Sequence, residues 1–256
     1  MKLYFLGTCS GTEPIPGRNH ASWALETNGK LYFFDAGEGC SRTAYLLGLD
    51  PLAIQKIVIS HPHMDHVGGL SNLLWMIQKL ISRYKRSLIG ERVDVYIPSR
   101  ETWDGVMQIL RCTEFDFDKA YPLFGHGISS GLLFDDSTVR VTAYPNTHVK
   151  PVDGVFRSYS FLIECEGKRI VYSGDVRNYS ELDGAIGEGC DVLIGETGHH
   201  KIDGVHSYFS SKKIGTFYFF HHGREILNAP DASAEKIASL FEGRACLTFD
   251  GMTVEV

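Results

Sequence analysis

Within six residues the chain sets His61, His63, Asp65 and His66, directly behind the nearly continuous apolar run KIVIS at residues 56–60. A run of that kind suits a strand buried on both faces, as in a parallel sheet. Four side chains at His-x-His-x-Asp-His spacing can face one point only from a loop, so the strand has to end where the motif begins. Imidazole nitrogens and carboxylate oxygens are the donors that zinc and related divalent ions accept. A polar surface turn gives no reason for four such groups to crowd one strand end. The feature restricts the fold to one that carries a loop-built site at the edge of a sheet.

The rest of the chain reads as the strands and helices such a sheet requires. Apolar runs at residues 3–6, 21–26 and 31–34 are short strands with hairpin connections, the last leading into Asp35-Ala36-Gly37-Glu38-Gly39. Leu70, Leu73, Leu74, Ile77, Leu80, Ile81 and Tyr84 recur at helical spacing and predict an amphipathic helix packed on a sheet. Val93, Val95 and Ile97 alternate as in a strand, and Ser99 is placed to cap a helix with the apolar stripe Trp103, Val106, Met107 and Leu110. Residues 112–136 lose the pattern and read as an irregular excursion without an assigned role. Strands return at 138–144, 161–165 and 168–173, the last two joined by a tight turn at Glu166-Gly167, and again at 192–194 and 216–220. A helix over 232–241 and a final hairpin about Asp250-Gly251 complete an α/β pattern. With 256 residues, 43% of them hydrophobic, and no repeat, linker or low-complexity tract, a single domain over 1–256 is expected.

Composition narrows the function. The 27 glycines exceed the usual share of about 7% and point to many tight turns. A net charge of −6 argues against broad capture of nucleic acid, which needs a concentrated basic surface. Arg83–Arg86 (RYKR) and Lys212-Lys213 are the basic clusters, and each reads by default as a solvated face. The six cysteines are scattered, without CxxC spacing, as expected of thiols in a reducing compartment. The apolar start MKLYFLG is too short for a signal peptide and nothing later is long enough to span a membrane, so a cytoplasmic protein with no membrane partner is expected.

Further ligand-type residues follow the later strands: His148 after VRVTAYPNT, Asp175 after RIVYSG and His221 after GTFYFF. One histidine behind a strand is ordinarily structural. Three such residues in a chain that already holds the cluster point to metal, with enough donors for two ions sharing a carboxylate. His221 and His222 compete for one role, and position behind the strand leaves the choice between them open.

In these stretches the sequence resembles the metallo-β-lactamase superfamily, over nearly the whole chain. The matching text is DAGEG at 35–39, SHPHMDHVGGL at 60–70, His148, SGDV at 173–176, FHH at 220–222 and FDGM at 249–252. The resemblance implies an α/β (α+β) fold, a four-layer αββα sandwich with the metal site at one edge of its two sheets. It implies two divalent metal ions, zinc or alternatively manganese or iron. His61, His63 and His148 would hold one ion, Asp65, His66 and His221 the other, and Asp175 would bridge them, with Asp35 orienting the loop. Within the superfamily, FLGTCSGTEPIPGRNHAS with its Arg18-Asn19 pair is similar to the opening of ribonuclease Z. That group pairs a glutamate after a late strand with a His-Ser element as a proton relay, which carries over to Glu196 and His206-Ser207. His199 and His200 have no counterpart.

Two departures bear on the substrate. Relatives that process transfer RNA carry a basic, glycine-rich arm between the third and fourth metal motifs, but here His148 and Asp175 are only 27 positions apart. Pro16-Gly17 also replaces a lysine often found before the Arg-Asn pair. The expectation is a dinuclear metal-dependent hydrolase, a phosphodiesterase acting on a small anionic phosphodiester or nucleotide through a metal-bound hydroxide. Asp65, Glu196 and His206 are its catalytic residues. Hydrolysis of a thioester, lactone or phosphorylcholine ester, ribonuclease Z-type RNA cleavage, and a noncatalytic metal-binding scaffold are the alternatives. Transfer RNA is disfavoured as a partner, and the resemblance allows a homodimer.

Overall fold

A seven-stranded mixed sheet organises each of the two units into which residues 1–256 of the computed structural model divide. The first unit comprises residues 1–7, 14–128 and 250–256, and the second residues 8–13 and 129–249. The sequence leads to the expectation of one domain; each of the two units has a sheet and helices of its own.

The first sheet contains β1 (Lys2–Gly7), β2 (Ser22–Thr27), β3 (Lys30–Phe34), β4 (Ile54–Val58), β5 (Val93–Tyr96), β6 (Leu123–His126) and the C-terminal β14 (Thr253–Glu255), in the order β14-β1-β2-β3-β4-β5-β6. Asn28 and Gly29, both at positive φ (50° and 71°), close the β2–β3 hairpin. From β3 onward the pairs are parallel, so the chain must cross over between strands. The helices are α1 (Cys40–Leu46), the short α2 (Met64–Val67), α3 (Leu70–Tyr84) and α4 (Arg100–Thr113). Leu70, Leu73, Leu74, Ile77 and Leu80 of α3 and Trp103, Val106, Met107 and Leu110 of α4 bury against Phe33, Ile57, Val93 and Val95. Ser99 caps α4 as expected, its Oγ accepting the Thr102 N–H at 3.1 Å.

The second sheet contains β7 (Gly131–Asp135), β8 (Val139–Pro145), β9 (Tyr159–Cys165), β10 (Lys168–Tyr172), β11 (Cys190–Thr197), β12 (Ile214–His222) and β13 (Ala245–Leu247), ordered β13-β12-β11-β10-β9-β8-β7. Its β7–β10 half is antiparallel, with Glu166-Gly167 turning β9 into β10, and its β10–β13 half is parallel. Helices α5 (Asp183–Ile186), α6 (Ile202–Ser210), α7 (Arg224–Leu227) and α8 (Pro230–Leu240) accompany it. Val205 and Phe209 of α6 and Ile237 of α8 share a core with Val171, Leu193, Phe217 and Phe219. No helix is long and apolar enough to cross a membrane.

Two expectations are corrected. Residues 112–136 are not merely irregular: they supply β6 and β7, one edge strand for each sheet. Edge strands bury little: of the residues of β6 and β7 only Phe134 is buried, which removes the apolar run that marks a strand. The final hairpin does not form either. β13 pairs in parallel with β12, and β14 pairs antiparallel with β1, although Asp250-Gly251 does make a turn, with Gly251 at φ 86°. Asp-Gly specifies a local reversal, while the partners of the flanking strands are set by sheets already in place.

Candidate metal centre

Asp35 leaves β3 with a left-handed backbone, φ 58°, which turns its carboxylate into the loop after β4. There Oδ1 accepts the Ser60 N–H at 2.6 Å, and Oδ2 accepts the Ser60 hydroxyl at 2.8 Å. His66 Nδ1 lies 2.7 Å from the same Oδ2, and His61 Nδ1 lies 3.0 Å from Ser60 Oγ. With the serine hydroxyl donating to Asp35, both imidazoles carry their proton on Nδ1 and keep Nε2 as a lone-pair donor, the arrangement a metal-binding histidine needs. His61 Nε2 stands 3.0 Å from His63 Nδ1, and His66 Nε2 stands 3.5 Å from Asp65 Oδ2. The four residues of the sequence motif therefore gather ligand atoms in the first unit. Asp35, His61 and His66 are fully buried, while His63 is exposed.

Two glycines allow this loop to form. A Cβ on Gly37 would fall 2.4 Å from the Asp65 carbonyl oxygen, and one on Gly69 would fall 2.2 Å from the Gly37 carbonyl oxygen. Backbone packs on backbone at both places.

The second unit brings together His148, Asp175, Glu196, His199 and His221, each at or just beyond the end of a strand or in the loop that follows. Asp175 shows one oxygen to each of two imidazoles: Oδ2 is 3.6 Å from His148 Nε2 and Oδ1 is 3.3 Å from His221 Nδ1. Ligand atoms of Asp175, Glu196, His199 and His221 all lie within 4.8 Å of one another. Donors around a tetrahedral zinc with bonds of about 2.0–2.1 Å stand about 3.3–3.4 Å apart, and the 3.3 Å from Asp175 to His221 and 3.6 Å from Asp175 to His148 are close to that, so these three residues suit a divalent cation in chemistry and spacing.

A bulge gives His221 and His222 different orientations. β11 and β12 pair Glu196 with Phe220 and then Thr197 with His222, so His221 is left out of the ladder, and its φ is 49°. A bulge of this kind re-aims a side chain. His221 turns to Asp175, while His222 stays in register and its Nε2 bonds the Phe219 carbonyl at 2.9 Å.

Glu196 is fully buried beneath this group. Its Oε2 accepts the His199 N–H at 2.9 Å, and its Oε1 lies 3.1 Å from His199 Nδ1, 3.4 Å from His200 Nε2 and 3.3 Å from the Val176 nitrogen. Burial pushes its carboxyl up, but the hydrogen bonds with His199, His200 and His221 outweigh that and hold it well below the usual range. The Glu196 hydrogen bond in turn raises His199 above the ordinary histidine value against the effect of burial. The Tyr179 hydroxyl donates to the Glu196 carbonyl at 2.6 Å and anchors the strand end.

The expected pairing of Glu196 with His206 is not found. His206 sits on α6, its ring centroid 5.1 Å from Phe241 and its Nε2 3.2 Å from Ser210 Oγ. A helix places His206 one turn before Ser210 and on the side that meets α8, whereas the strand-end turn places His199 over Glu196. The signal for His199 was its position three residues after the glutamate, within ETGHH. The His199 ring lies tilted 4.8 Å from that of His148 and stacked 5.9 Å from that of His221, and it is half exposed.

The sequence profile of the family described as Anti-Pycsar protein Apyc1 matches residues 1–213. Ribonuclease Z of Methanothermobacter thermautotrophicus is 34% identical over 150 residues, 58% of this chain and 45% of that protein. The chain spans about half the length of the curated relatives it matches. Human tRNase Z, short form, superposes with a TM-score of 0.76 at 21% identity, over 100% of this chain and 99% of that one. A diphosphatase of the PhnP family superposes with a TM-score of 0.72 at 18% identity, over 100% and 97%. The fold is thus that of the metallo-β-lactamase superfamily, ribonuclease Z-like in sequence, and the chain belongs to the family of the Anti-Pycsar protein Apyc1.

Proposed function

We propose that the chain is a dinuclear metal-dependent phosphodiesterase that acts on a small anionic phosphodiester or nucleotide. In this reading His61, His63, Asp65 and His66 of the first unit and His148, Asp175 and His221 of the second would be the metal ligands. The observation that carries it is the placement of Asp175, whose two oxygens face different imidazoles at 3.6 and 3.3 Å, as a bridging carboxylate requires. Two divalent ions bound there would lower the pKa of a water toward neutrality and clamp the oxygens of a phosphodiester.

The chain's own groups supply the rest. Asp35 keeps His61 and His66 in the tautomer that leaves Nε2 for the metal. Asp65, mostly buried beside His66, is placed to hold a proton taken from water. Glu196 aligns His199, which takes over from His206 the delivery of a proton to the leaving oxygen.

A small substrate is supported by the net charge of −6 and by the filling of the interval between His148 and Asp175 with β9, β10 and their tight turn. Phosphoryl chemistry agrees with the similarity of the fold to a PhnP-family diphosphatase. Ribonuclease Z-type RNA cleavage is the second reading, favoured by the 34% identity to a ribonuclease Z. The test is a panel assayed with zinc- and manganese-loaded protein: an aryl phosphodiester, cyclic and linear dinucleotides, a precursor transfer RNA, a thioester, a phosphorylcholine ester, a lactone and a β-lactam. Turnover of small phosphodiesters above all others is expected. Preference for the RNA, or for a carboxylic ester or lactam, overturns the reading.

A further inference from the structure

Glu181 belongs to none of the motifs above, yet its carboxylate joins two loops of the second unit that carry ligand residues. Oε1 accepts the Thr147 N–H at 2.8 Å and the Thr147 hydroxyl at 2.6 Å. Oε2 accepts the N–H of Arg177 at 2.9 Å and that of Asn178 at 3.3 Å. Thr147 immediately precedes His148, and Arg177 follows Asp175 by two residues. Glu181 itself is held in a single turn, residues 179–182, by a reciprocal cap with Asn178.

The strand side of the same loops has a separate tie. Asn146 Nδ2 donates to Ser160 Oγ at 3.1 Å, and the Ser160 hydroxyl donates to the Ser173 carbonyl at 2.6 Å. Asn146 and Ser173 each stand two residues before a ligand. That tie fixes where the two loops begin, and Glu181 fixes where they go. Burial pushes the Glu181 carboxyl up, but the hydrogen bonds from Thr147, Asn178 and Arg177 outweigh it and keep the group charged, so all four donors meet an anionic acceptor.

We infer that Glu181 is a positioning residue that sets the separation of His148 and Asp175, and with it the affinity of the second unit's ligands for a divalent cation. The inference rests on the proposed assignment of those two residues as metal ligands. Groups that hold a ligand in place without touching the metal change metal affinity by about 10–100-fold when removed. Glutamine at this position keeps one accepting oxygen, so it can serve Thr147 or the Arg177–Asn178 pair but not both.

The test titrates the full-length chain, stripped by a chelator, with zinc against a competing chelator, and records the melting temperature of each metal-free protein. Glu181→Ala is expected to bind zinc about 10–100-fold more weakly than wild type, with Glu181→Gln in between. Thr147→Val, which keeps the N–H, should lose less than Glu181→Ala. A purely structural role would lower the melting temperature of the variants in that order without moving zinc affinity, and that result overturns the inference. If Glu181→Ala does not fold, wild type, Thr147→Val and Glu181→Gln decide the question, and equal zinc affinity among them also overturns it. His148→Ala is the reference: loss of one ion there with unchanged affinity in the Glu181 variants sinks the positioning role alone, whereas full zinc binding by His148→Ala sinks the ligand assignment on which it stands.

Discussion

His66 Nδ1 and Asp35 Oδ2 stand 2.7 Å apart, with both side chains fully buried. A buried carboxylate that orients an imidazole does two things at once: it selects the tautomer and it raises the basicity of the free nitrogen. Through Ser60 the same carboxylate reaches His61, so one aspartate governs two expected ligands. Asp35→Asn should therefore weaken zinc binding by about 10–100-fold. Calorimetric titration of metal-free protein measures this, and an unchanged affinity would falsify the role of Asp35.

The Glu196–His199 pair and the isolated His206 make opposite predictions. A positioned acid or base contributes about 10²–10⁴-fold to a rate, and His199→Ala should lower kcat on a phosphodiester by an amount in that span. His206→Ala removes a side chain that meets Phe241 and Ser210, and it should change kcat by no more than about twofold, the equivalent of ~0.5 kcal/mol. Steady-state rates for the two variants at saturating metal decide between them. The reverse ranking would return the proton-transfer role to His206.

These two histidines also show what the sequence could and could not convey. Features fixed by neighbours along the chain were legible: the α3 stripe from Leu70 to Tyr84, the Ser99 cap and the Glu166-Gly167 turn all depend on residues within a few positions. The clustering of ligand-type side chains at His61 to His66 was legible because four of them share one loop. Features decided by partners far away in sequence were not. The edge strands β6 and β7 bury too little to show an apolar run, and the pairing of β13 with β12 overrode the hairpin suggested by Asp250-Gly251. His221 was favoured over His222 through the resemblance, but the bulge against β11 that turns His221 toward Asp175 is announced by no local pattern. Glu196 was named through the resemblance, and which histidine it meets was set by the path of the chain after β11.

Asp94 gives a pH-dependent stability away from the ligands. It is buried on β5, with Oδ2 bonded by Lys56 Nζ at 2.5 Å and Arg92 Nε at 3.0 Å, and Oδ1 2.8 Å from His126 Nε2. Burial pushes its carboxyl up, but the bonds from Lys56 and His126 dominate and lower it below the ordinary value. A folded-state pKa below the unfolded one, about 3.9, means that the stabilisation is complete above about pH 4 and is lost as the pH falls through the folded value. Asp94→Asn should cost about 1–3 kcal/mol at pH 7, from hydrogen bonds to a charged group, and the gap to wild type should narrow below about pH 4. Denaturant melts of both proteins from pH 3 to 7 test this, and a gap that widens in acid would contradict it.

Gly37 predicts a coupling between backbone packing and metal binding. A methyl group there would lie 2.4 Å from the Asp65 carbonyl oxygen and 2.6 Å from the His20 carbonyl carbon, and both obstacles are backbone that no rotamer change can move. Gly37→Ala must therefore push the loop bearing Asp65 and His66 away from β3, where the Ala36 N–H now donates to the His66 carbonyl at 2.7 Å. Overpacking costs about 1–3 kcal/mol and should lower the melting temperature of the metal-free protein. Because the displaced segment carries two expected ligands, zinc affinity should fall as well, and zinc should then raise the melting temperature less than it does in wild type. Gly105→Ala, at an exposed position of α4 with nothing within 4 Å of the added carbon, is the control: it should raise the melting temperature slightly, by the about 0.5–1 kcal/mol that alanine gains over glycine within a helix, and leave zinc affinity unchanged. Were Gly37→Ala to lose stability while zinc still raised its melting temperature as in wild type, the loop would tolerate the displacement and the close packing of Gly37 on Asp65 would have no part in shaping the metal centre.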